Sequence, residues 1–438
     1  MSATQALNTL ERKRDELPRR IGMHADIGIV GGGLIGLVTT LALAREMPKT
    51  RIILVAAKPQ RTDRRTTAML MPAVHLLRDY MDCEDLFAAS AALRTMRIID
   101  VSDRIVRAPA VEFNSAEIAE DAFGFNVPNA LAAQLLLETL STIDTVEVVT
   151  ANAAAFDGEV IALETPSSDG PTHLEASLFV AADGKDSVLR DGVGIGTRSW
   201  SYPQTALVTT FAHTFPHGGV STELHMESGP FTQVPLPGAG ESLHRSSLVW
   251  VVEPGDADEM LDWDNELVSR QIEKRLQSSL GVVEVEEPFQ AFPLVAMTAH
   301  RLAQNRLILV GEAAHVIPPI AAQGFNLGVS DIKTLLDLML PFSHASERGD
   351  AEHGLTKQSA AEVARRYHRS RIAEIATKTG GVDMLNRSLL SGFLPLQLVR
   401  AAALGVFSQS SSLRQVVMGG IMNGPASVFR STAPQEPG

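Results

Sequence analysis

Three features are nearly absent from the sequence: cysteine, net positive charge and long apolar runs. Cys83 is the single cysteine among 438 residues, which excludes an internal disulfide framework and indicates a reducing compartment. The formal net charge of −13 argues against a nucleic-acid-binding protein, whose contact surface would be basic. No run of 18 or more apolar residues is present, so no membrane-spanning helix is evident.

The N-terminal segment also lacks the apolar core of a signal peptide, since ERKRDELPRR (11–20) carries charges of both signs. We therefore expect no secretion and a cytoplasmic location. The length suits two or three hydrophobic cores. A composition of 45% hydrophobic and 20% charged residues is typical of a soluble globular protein.

Glycine is concentrated after the first apolar segment. HADIGIV (24–30) predicts a short buried strand, and GGGLIG then leads into a helical pattern. Gly31, Gly33 and Gly36 have the G-x-G-x-x-G spacing, which permits a tight turn and close approach of a pyrophosphate. The helix N-terminus adds free N–H groups and partial positive charge. We predict a dinucleotide site, with a glycine-rich turn that binds no ligand as the alternative.

A carboxylate is missing where a dinucleotide fold usually has one. An acidic residue about 20 positions after the glycines commonly holds a ribose hydroxyl, but that position falls near Ala56. Either backbone groups hold the ribose, or the adenosine end is bound less tightly. The absence weakens a nicotinamide assignment more than a flavin assignment, because a flavin has other anchors along its length.

Two further segments repeat the arrangement of an apolar strand followed by glycine and an acid. One runs from Ser177 into Asp183 and Gly184, and the other runs from Arg306 into Gly311 and Glu312. Three such turns, separated by long insertions, predict one nucleotide-binding domain assembled from distant pieces of the chain.

The third of these turns carries the most specific pattern. GEAAHVIPPIAAQGFNLGVSD (311–331) resembles the late signature of the ubiquinone-biosynthesis hydroxylases, which are FAD-dependent aromatic monooxygenases related to para-hydroxybenzoate hydroxylase. RTTA (65–68), FGFNVPN (123–129), YPQTALV (202–208) and GPFTQVPLPG (229–238) are similar to bacterial members of that family. The resemblance covers roughly residues 24–400. Glu312 and Ala322 depart from its usual Asp and Gly.

The resemblance implies an α/β fold of the glutathione-reductase or para-hydroxybenzoate-hydroxylase type. A Rossmann-like FAD-binding domain would be assembled from residues 24–78, 120–190 and 292–345. Residues 79–119 and 191–291 would form an inserted β-rich substrate domain. Residues 346–428 would form a helical C-terminal region, and residues 1–23 and 429–438 would be flexible termini.

The resemblance also implies roles for individual residues. Glu312 would face the ribityl chain, the Ala-Ala-His turn at 313–315 would begin a helix, and Pro319 would lie beside the reactive face of the flavin. Arg65 would reach the pyrophosphate or the flavin ring, with a solvated charge as the alternative. The expected catalytic residues are Pro319, Gln323 and Tyr202. The expected cofactor-binding residues are Gly31, Gly33, Gly36, Arg65, Asn129, Asp183, Gly184, Gly311, Glu312, Gly324 and Asn326.

The reaction implied is hydroxylation of the aromatic ring of a polyprenylated phenol in ubiquinone biosynthesis, through a flavin C4a-hydroperoxide. FAD would be the cofactor and O2 the co-substrate, with NAD(P)H or a separate electron carrier as the reductant. Two alternatives stay open. One is a flavin hydroxylase of a soluble aromatic compound, and the other is a catalytically silent subunit that binds quinone intermediates.

The implied partners are other enzymes of ubiquinone biosynthesis, and no nucleic acid is expected. The C-terminal segment from Leu389 to Phe407 is apolar. It either packs as helices on the flavin domain or makes peripheral contact with the inner face of the bacterial cytoplasmic membrane.

Histidines in the middle of the chain raise the question of a metal. His213, His217 and His225 share parity in predicted strands, but a zinc site needs a fourth ligand, and no cysteine or tight acidic cluster stands nearby. We expect no metal site. The sequence also shows no evident acid–base dyad for catalysis.

Overall fold

The computed structural model describes residues 22–57, 65–102, 107–165, 172–240, 244–318, 323–347, 355–390, 405 and 410–423. Its strands, in chain order, are β1 (Gly22–Val30), β2 (Ile52–Ala56), β3 (Thr66–Leu70), β4 (Ala91–Leu93), β5 (Thr95–Asp100), β6 (Val111–Asn114), β7 (Gly124–Pro128), β8 (Val146–Thr150), β9 (Asn152–Phe156), β10 (Val160–Glu164), β11 (Thr172–Ala181), β12 (Thr197–His213), β13 (Val220–His225), β14 (Pro230–Leu236), β15 (Arg245–Val252), β16 (Val283–Val285), β17 (Gln290–Ala299), β18 (Ala303–Gln304), β19 (Leu307–Leu309) and β20 (His315–Val316).

The helices are α1 (Leu34–Glu46), α2 (Met71–Tyr80), α3 (Glu84–Ala88), α4 (Asn129–Leu140), α5 (Val188–Gly192), α6 (Pro254–Leu261), α7 (Asn265–Arg275), α8 (Gln323–Glu347), α9 (Lys357–Leu390) and α10 (Ser411–Asn423). Short 3-10 turns span Ser115–Ile118 and Gly311–Ala313. Within these described residues, no helix is long and apolar enough to cross a membrane.

The first sheet has a parallel core in the order β19-β11-β1-β2-β8. All five residues of β2 are buried, as expected for a strand with helices on both faces. Helix α1 follows β1 and packs against α4 and α8. The carboxyl ends of β1, β11 and β19 lie side by side, so the three glycine turns meet at one edge of the sheet. This arrangement confirms the expected Rossmann-like α/β domain.

The second sheet has the order β20-β17-β12-β15-β14-β13-β5-β6, with β16 paired to β12. Strands β5 and β6 come from an early part of the chain and join through the parallel pairing of β5 with β13. Strand β17 pairs with β12 over most of its length and so belongs to the second sheet. The domain boundary predicted at 291 falls inside this strand, near its start at Gln290. A third sheet, β3-β7-β4, packs against β14 of the second sheet.

The two faces of the second sheet have different coverings. Helices α6 and α7 cover what we call the outer face, around Leu207, Phe211 and Trp250. The opposite face, which we call the inner face, carries Tyr202 and Ala206 and also Val251, Leu294 and Ala296.

The inner face is directed toward the rest of the molecule. It meets α9 through a hydrogen bond between Tyr202 and Asp383. At its far end, Met418 of α10 packs against Val111 and Phe113. The inner face is therefore in contact with α9 and, at its far end, with α10.

A buried polar network joins the third glycine turn to α8 and α9. Asp331 has no exposed surface. It accepts hydrogen bonds from the Gly311 backbone N–H at 2.9 Å and the Arg371 Nε at 2.8 Å, and its Oδ2 lies 2.7 Å from His315 Nε2. Tyr367 Oη donates to the Leu309 carbonyl at 3.0 Å. One carboxylate thus anchors segments that lie far apart in the sequence.

Replacing Asp331→Asn should lower the free energy of unfolding by about 2–3 kcal/mol, because the buried Arg371 would lose one of its two carboxylate partners and keep only Glu374. Denaturant unfolding at neutral pH measures the change. The control is Asp337→Asn on the same helix, where an exposed side chain predicts a change within about 0.5 kcal/mol. Equal effects of the two substitutions would contradict a special role for Asp331.

Acid should weaken this network in a defined direction. Burial by itself raises the pKa of Asp331, but His315 and Arg371 outweigh it, so the pKa lies below its ordinary value. The stabilisation is therefore complete above the ordinary carboxyl pKa of about 4 and is lost as the pH falls through the lower folded value. Unfolding series from pH 5 to pH 2 should show a smaller acid loss in Asp331→Asn than in the wild type.

Candidate cofactor and substrate site

The first glycine turn is packed too closely for any side chain at two of its positions. Gly31 has φ +131°, and a Cβ placed on it would lie 2.0 Å from the Ala182 carbonyl oxygen. A Cβ on Gly36 would lie 1.9 Å from the Gly31 oxygen. The turn is thereby pressed against the second glycine turn, as a dinucleotide fold requires.

Open space marks a different group of glycines. A Cβ placed on Gly33, Gly184 or Gly324 would meet no described atom within 4 Å, apart from its chain neighbours. Gly33 is the N-cap residue of α1, Gly184 follows β11 and Gly324 lies in the first turn of α8. Gly33 gives α1 no side-chain cap, which leaves its first N–H groups for a ligand. Bare backbone from separate segments is therefore available for close approach.

Asp183 contributes a carboxylate with unused hydrogen-bonding capacity. Its Oδ2 accepts a bond from the Leu189 N–H at 3.3 Å, while its Oδ1 is buried without a hydrogen-bond partner. Burial raises the pKa of this carboxyl above its ordinary value. A buried acceptor of this kind is costly unless something pairs with it, and a ligand hydroxyl would satisfy it.

Arg190 fixes the second turn to the third, a role that the sequence did not reveal. Its Nη1 donates to the Lys185 carbonyl at 2.9 Å and to the Ala313 carbonyl at 3.3 Å. The residue is 5% exposed, and its guanidinium also pairs with Asp191 at 3.0 Å. Arg190 lies three residues after Ser187, whose side chain caps the N-terminus of α5. This capping pattern is the one feature of the local sequence that indicates a fixed position for Arg190.

The third turn differs from the expectation in one respect. The Ala-Ala-His segment was expected to begin a helix, and this prediction is wrong. Gly311–Ala313 forms a 3-10 turn, His315 and Val316 pair with Thr298 and Met297 of β17, and the helix begins only at Gln323. Pairing with the second sheet holds the chain extended here, so tertiary structure overrides the helical tendency of alanine.

The predicted residues of this region are placed as follows. Gly311 has φ +59° and Glu312 is exposed at the edge of the turn. Gln323 is buried at the start of α8. Pro319 and Ala322 lie outside the described residues.

Two predicted asparagines bind neighbouring backbone and side chains. Asn326 Nδ2 donates to the Ala68 carbonyl at 2.9 Å, and its Oδ1 accepts from the Leu70 N–H at 3.0 Å. Asn129 Oδ1 accepts from Thr67 Oγ1 at 2.7 Å. The Asn326 contacts hold β3 against the start of α8, and the Asn129 contact holds β3 against the start of α4. The exposed Arg65 directly precedes β3.

Tyr202 lies on the inner face, where its hydroxyl proton is committed to the C-terminal helix. Its Oη donates to Asp383 Oδ1 at 2.7 Å and accepts from Trp200 Nε1 at 2.9 Å. Strand pairing relates this cluster to the third turn, because β12 pairs with β17 and β17 with β20. The Tyr202 cluster is therefore roughly 10 Å, or two strand spacings, from Pro318, which lies two residues after the end of β20.

Two of the middle histidines, His213 and His217, lie near each other, with ring centroids 6.0 Å apart. His213 lies with Nδ1 2.8 Å from the Phe215 carbonyl and Nε2 3.0 Å from Ser246 Oγ. Burial lowers the pKa of His213 and of His217. In the part of the chain that the structure describes, no group of three or more His, Cys, Asp or Glu residues is arranged to hold a metal ion. Cys83 is buried, and burial raises its pKa to about 11.

Ala56 ends β2 directly beside the first glycine turn. A Cβ placed on Gly32 would come within 2.8 Å of the Ala56 Cβ, so this methyl group points at the loop. A carboxylate on this position would reach the region where a ribose lies in a dinucleotide fold.

Taken together, the bare glycine backbone, the uncapped N-terminus of α1 and the unpaired Asp183 oxygen fit an FAD. Replacing Gly33→Ala should weaken FAD binding by tenfold or more, because the added methyl group occupies open space that the pyrophosphate needs. Its φ of −75° suits alanine, so the apoprotein should fold normally. Flavin fluorescence titration measures the affinity. Gly255→Ala, on an open position of α6, is the matched control, and equal losses would contradict the assignment.

A second substitution should strengthen binding. Ala56→Glu would supply the missing carboxylate to the ribose, and one charge-assisted hydrogen bond predicts an affinity gain of about tenfold. Ala56→Gln is the neutral control and should gain less. An unchanged or weaker affinity for FAD in a folded Ala56→Glu protein would show that the adenosine end lies elsewhere.

Comparison with known proteins agrees with this geometry. The family described as "FAD binding domain" matches residues 24–369. Ubiquinone hydroxylase UbiL of Rhodospirillum rubrum is 29% identical over 401 residues, covering 90% of this chain and 88% of that protein. The 3-demethoxyubiquinol 3-hydroxylase of Escherichia coli is 26% identical over 402 residues, covering 89% of this chain and 96% of that protein.

Solved structures agree on the fold. p-Nitrophenol 4-monooxygenase PnpA from Pseudomonas putida aligns with a TM-score of 0.68 at 16% identity, covering 92% of this chain and 99% of that one. At this identity the likeness shows the fold alone, which is that of the flavin-dependent aromatic monooxygenases. Because the family match spans most of its length, the chain belongs to the FAD binding domain family.

Proposed function

We propose that this protein is an FAD-dependent monooxygenase that hydroxylates the aromatic ring of a polyprenylated phenol in ubiquinone biosynthesis. The observation that carries the proposal is the junction of the glycine turns with an apolar sheet face. β20 follows the third turn directly and pairs with β17 of the second sheet. A cofactor held by the turns would lie next to the inner face, which is where a substrate would bind.

The residues of the chain divide the work of holding the cofactor. The glycine turns and the N-terminus of α1 would bind the pyrophosphate, and Asp183 and Glu312 would accept bonds from hydroxyl groups. The backbone at Gln323 and Gly324 would face the pyrimidine edge of the ring, with Pro319 beside its reactive face. Bound FAD, once reduced, supplies oxygen from O2 in a form that reacts with an electron-rich ring.

The character of the inner face supports a lipid substrate. Its centre is formed by Ala206, Val251, Leu294 and Ala296, all buried and apolar. Apolar walls fit a prenylated ring better than they fit a small carboxylate, which would need a positively charged group to replace its water. The names of the two curated relatives support the same choice of substrate class.

Three further parts of the proposal concern partners. The reductant is NAD(P)H or a separate electron carrier. The apolar segment from Leu389 to Phe407, most of which lies outside the described residues, makes peripheral contact with the inner face of the cytoplasmic membrane, from which the substrate is drawn. Other enzymes of the same pathway supply the prenylated phenol and consume the hydroxylated product.

Deleting the gene from its source organism should cause accumulation of a prenylated phenol that lacks one oxygen. Mass spectrometry of lipid extracts identifies the intermediate, and its structure names the ring carbon. Wild-type protein and the Gly255→Ala variant should restore the quinone, whereas Gly33→Glu should not. An unchanged quinone pool after deletion would overturn the proposal.

Purified protein provides the complementary test of substrate class. FAD-loaded enzyme should bind and hydroxylate 2-geranylphenol in preference to 4-hydroxybenzoate. Each transferred prenyl methylene contributes roughly 0.8 kcal/mol, so the preference should exceed 100-fold in KM. A preference for the soluble acid would favour the hydroxylase of a soluble aromatic compound. Failure to retain FAD or to bind either compound would contradict both hydroxylase functions.

A further inference from the structure

A buried carboxylate–imidazole pair stands on β13, in a segment without a recognisable motif. His225 Nε2 lies 2.6 Å from Glu223 Oε1, and the two side chains are 5% and 18% exposed. The other ring nitrogen, His225 Nδ1, is buried and has no hydrogen-bond partner. The contact of Nε2 with Glu223 therefore fixes the orientation of the imidazole, while Nδ1 has no hydrogen-bond partner.

Two other histidines of the same domain, His213 and His217, have partners on both ring nitrogens. His213 has partners for both nitrogens, as described above. His217 has Nε2 3.3 Å from the Leu236 carbonyl, and its Nδ1 accepts from the Gly219 N–H at 3.1 Å. His315 on β20 resembles His225, because its Nε2 contacts Asp331 and its buried Nδ1 has no partner. An unpaired buried nitrogen costs free energy unless a ligand pairs with it, and His225 is the one of these two that lies in the body of the sheet rather than in the third glycine turn.

Strand alternation places the pair on the inner face. Leu224 belongs to the outer core under α6 and α7, so its neighbours Glu223 and His225 point to the opposite side. His225 is opposite Pro230, and Ala206 is opposite Val251. Because Phe231 is opposite Trp250, the next residue pair along the same ladder is Pro230 and Val251. His225 therefore lies in one row with the apolar residues that would contact the substrate ring.

Among the residues that the structure describes, the acidic residues next to His225 in the sheet come from two strands. Glu223 is on the same strand as His225, and Asp100 is opposite His225 on β5. Asp100 accepts bonds from Ser102 N–H at 3.1 Å, Ser102 Oγ at 2.6 Å and Ala108 N–H at 3.1 Å. Asp100 is thus engaged by its own loop, whereas Glu223 is the carboxylate that contacts the imidazole.

We propose that Glu223 and His225 form the acid–base dyad of this enzyme, with His225 Nδ1 taking the proton from the phenol hydroxyl of the substrate. The inference rests on the proposed function. Glu223 accepts the Nε2 proton, which fixes the tautomer and leaves the Nδ1 lone pair directed at the ligand. The sequence gives no sign of the dyad, because Glu223 and His225 have the i, i+2 spacing of any two side chains on one face of a strand.

The proton transfer balances without any external reagent. The phenol O–H bond breaks and an N–H bond forms on Nδ1, so a phenolate and an imidazolium result, with Glu223 stabilising the imidazolium. Phenolate formation raises electron density at the ring carbons that attack the activated oxygen. That oxygen and the two electrons come from O2 and reduced FAD, as in the proposed function. When the ring loses its C–H proton and becomes aromatic again, His225 returns the first proton to the phenol oxygen.

The test uses a probe whose ionisation is visible without turnover. 2-Geranyl-4-nitrophenol absorbs visible light as a phenolate, and difference spectra with FAD-loaded enzyme report its ionisation when bound. In wild-type protein the bound probe should ionise at a lower pH than in buffer. In His225→Gln this shift should vanish, and in Glu223→Gln the midpoint should rise by about one pH unit relative to wild type. His217→Gln is the matched control and should behave as wild type.

Activity supplies a second readout. His225→Gln should lower the rate of 2-geranylphenol hydroxylation by about 100-fold or more, with the affinity for FAD unchanged. Glu223→Gln should lower it less and should shift the pH–rate profile. A merely structural role would instead lower FAD retention and thermal stability together with activity.

The possible outcomes separate the two proposals. If the probe does not bind to wild-type protein, the lipid-phenol function is overturned and the dyad with it. If it binds and ionises alike in wild type, His225→Gln and Glu223→Gln, the dyad alone is overturned. If His225→Gln does not fold, Glu223→Gln decides, because it keeps the imidazole and removes only its charged partner.

Discussion

Asp331 has no contact with solvent, yet it carries a charge that three separate segments satisfy. The Gly311 N–H, His315 and Arg371 all bind its carboxylate. A buried charge is tolerated only when it is paired and fully hydrogen-bonded, so the third glycine turn, α8 and α9 are tied to one another. The position of that turn sets the start of β20, and through it the place where the second sheet meets the cofactor domain. Arg190 extends the same constraint to the second turn.

The second sheet separates stability from function by strand alternation. Its outer face is a hydrophobic core closed by α6 and α7, with Arg275 stacked 4.0 Å over the ring of Trp250. Its inner face keeps small apolar residues together with Tyr202 and the Glu223–His225 pair. Residues adjacent in sequence, such as Leu224 and His225, therefore serve opposite purposes. One register shift along β13 would exchange the two faces.

The parts of the fold and site that the sequence predicted are those with local signals. An apolar strand followed by a glycine turn is a pattern contained within about ten residues, so Gly31, Gly184 and Gly311 were all identified from the sequence. The contacts of Asn326 with Ala68 and Leu70 join positions more than 250 residues apart, and no local pattern indicates them. The helix expected at Ala313–His315 was wrong because pairing with β17 overrides alanine's helical preference. His225 was judged only as a metal ligand, since its burial and its unpaired nitrogen arise from tertiary structure.

The central claim is that the glycine turns and the inner face form one site, in which reduced FAD delivers oxygen to a prenylated phenol. A single turnover tests it most directly, because it removes the unknown reductant. FAD-loaded protein would be reduced chemically without oxygen, mixed with 2-geranylphenol and ¹⁸O2, and analysed by mass spectrometry. The account predicts up to one labelled hydroxyl group per FAD. Complete reoxidation of the flavin with hydrogen peroxide as the sole oxygen product, despite bound phenol, would contradict it.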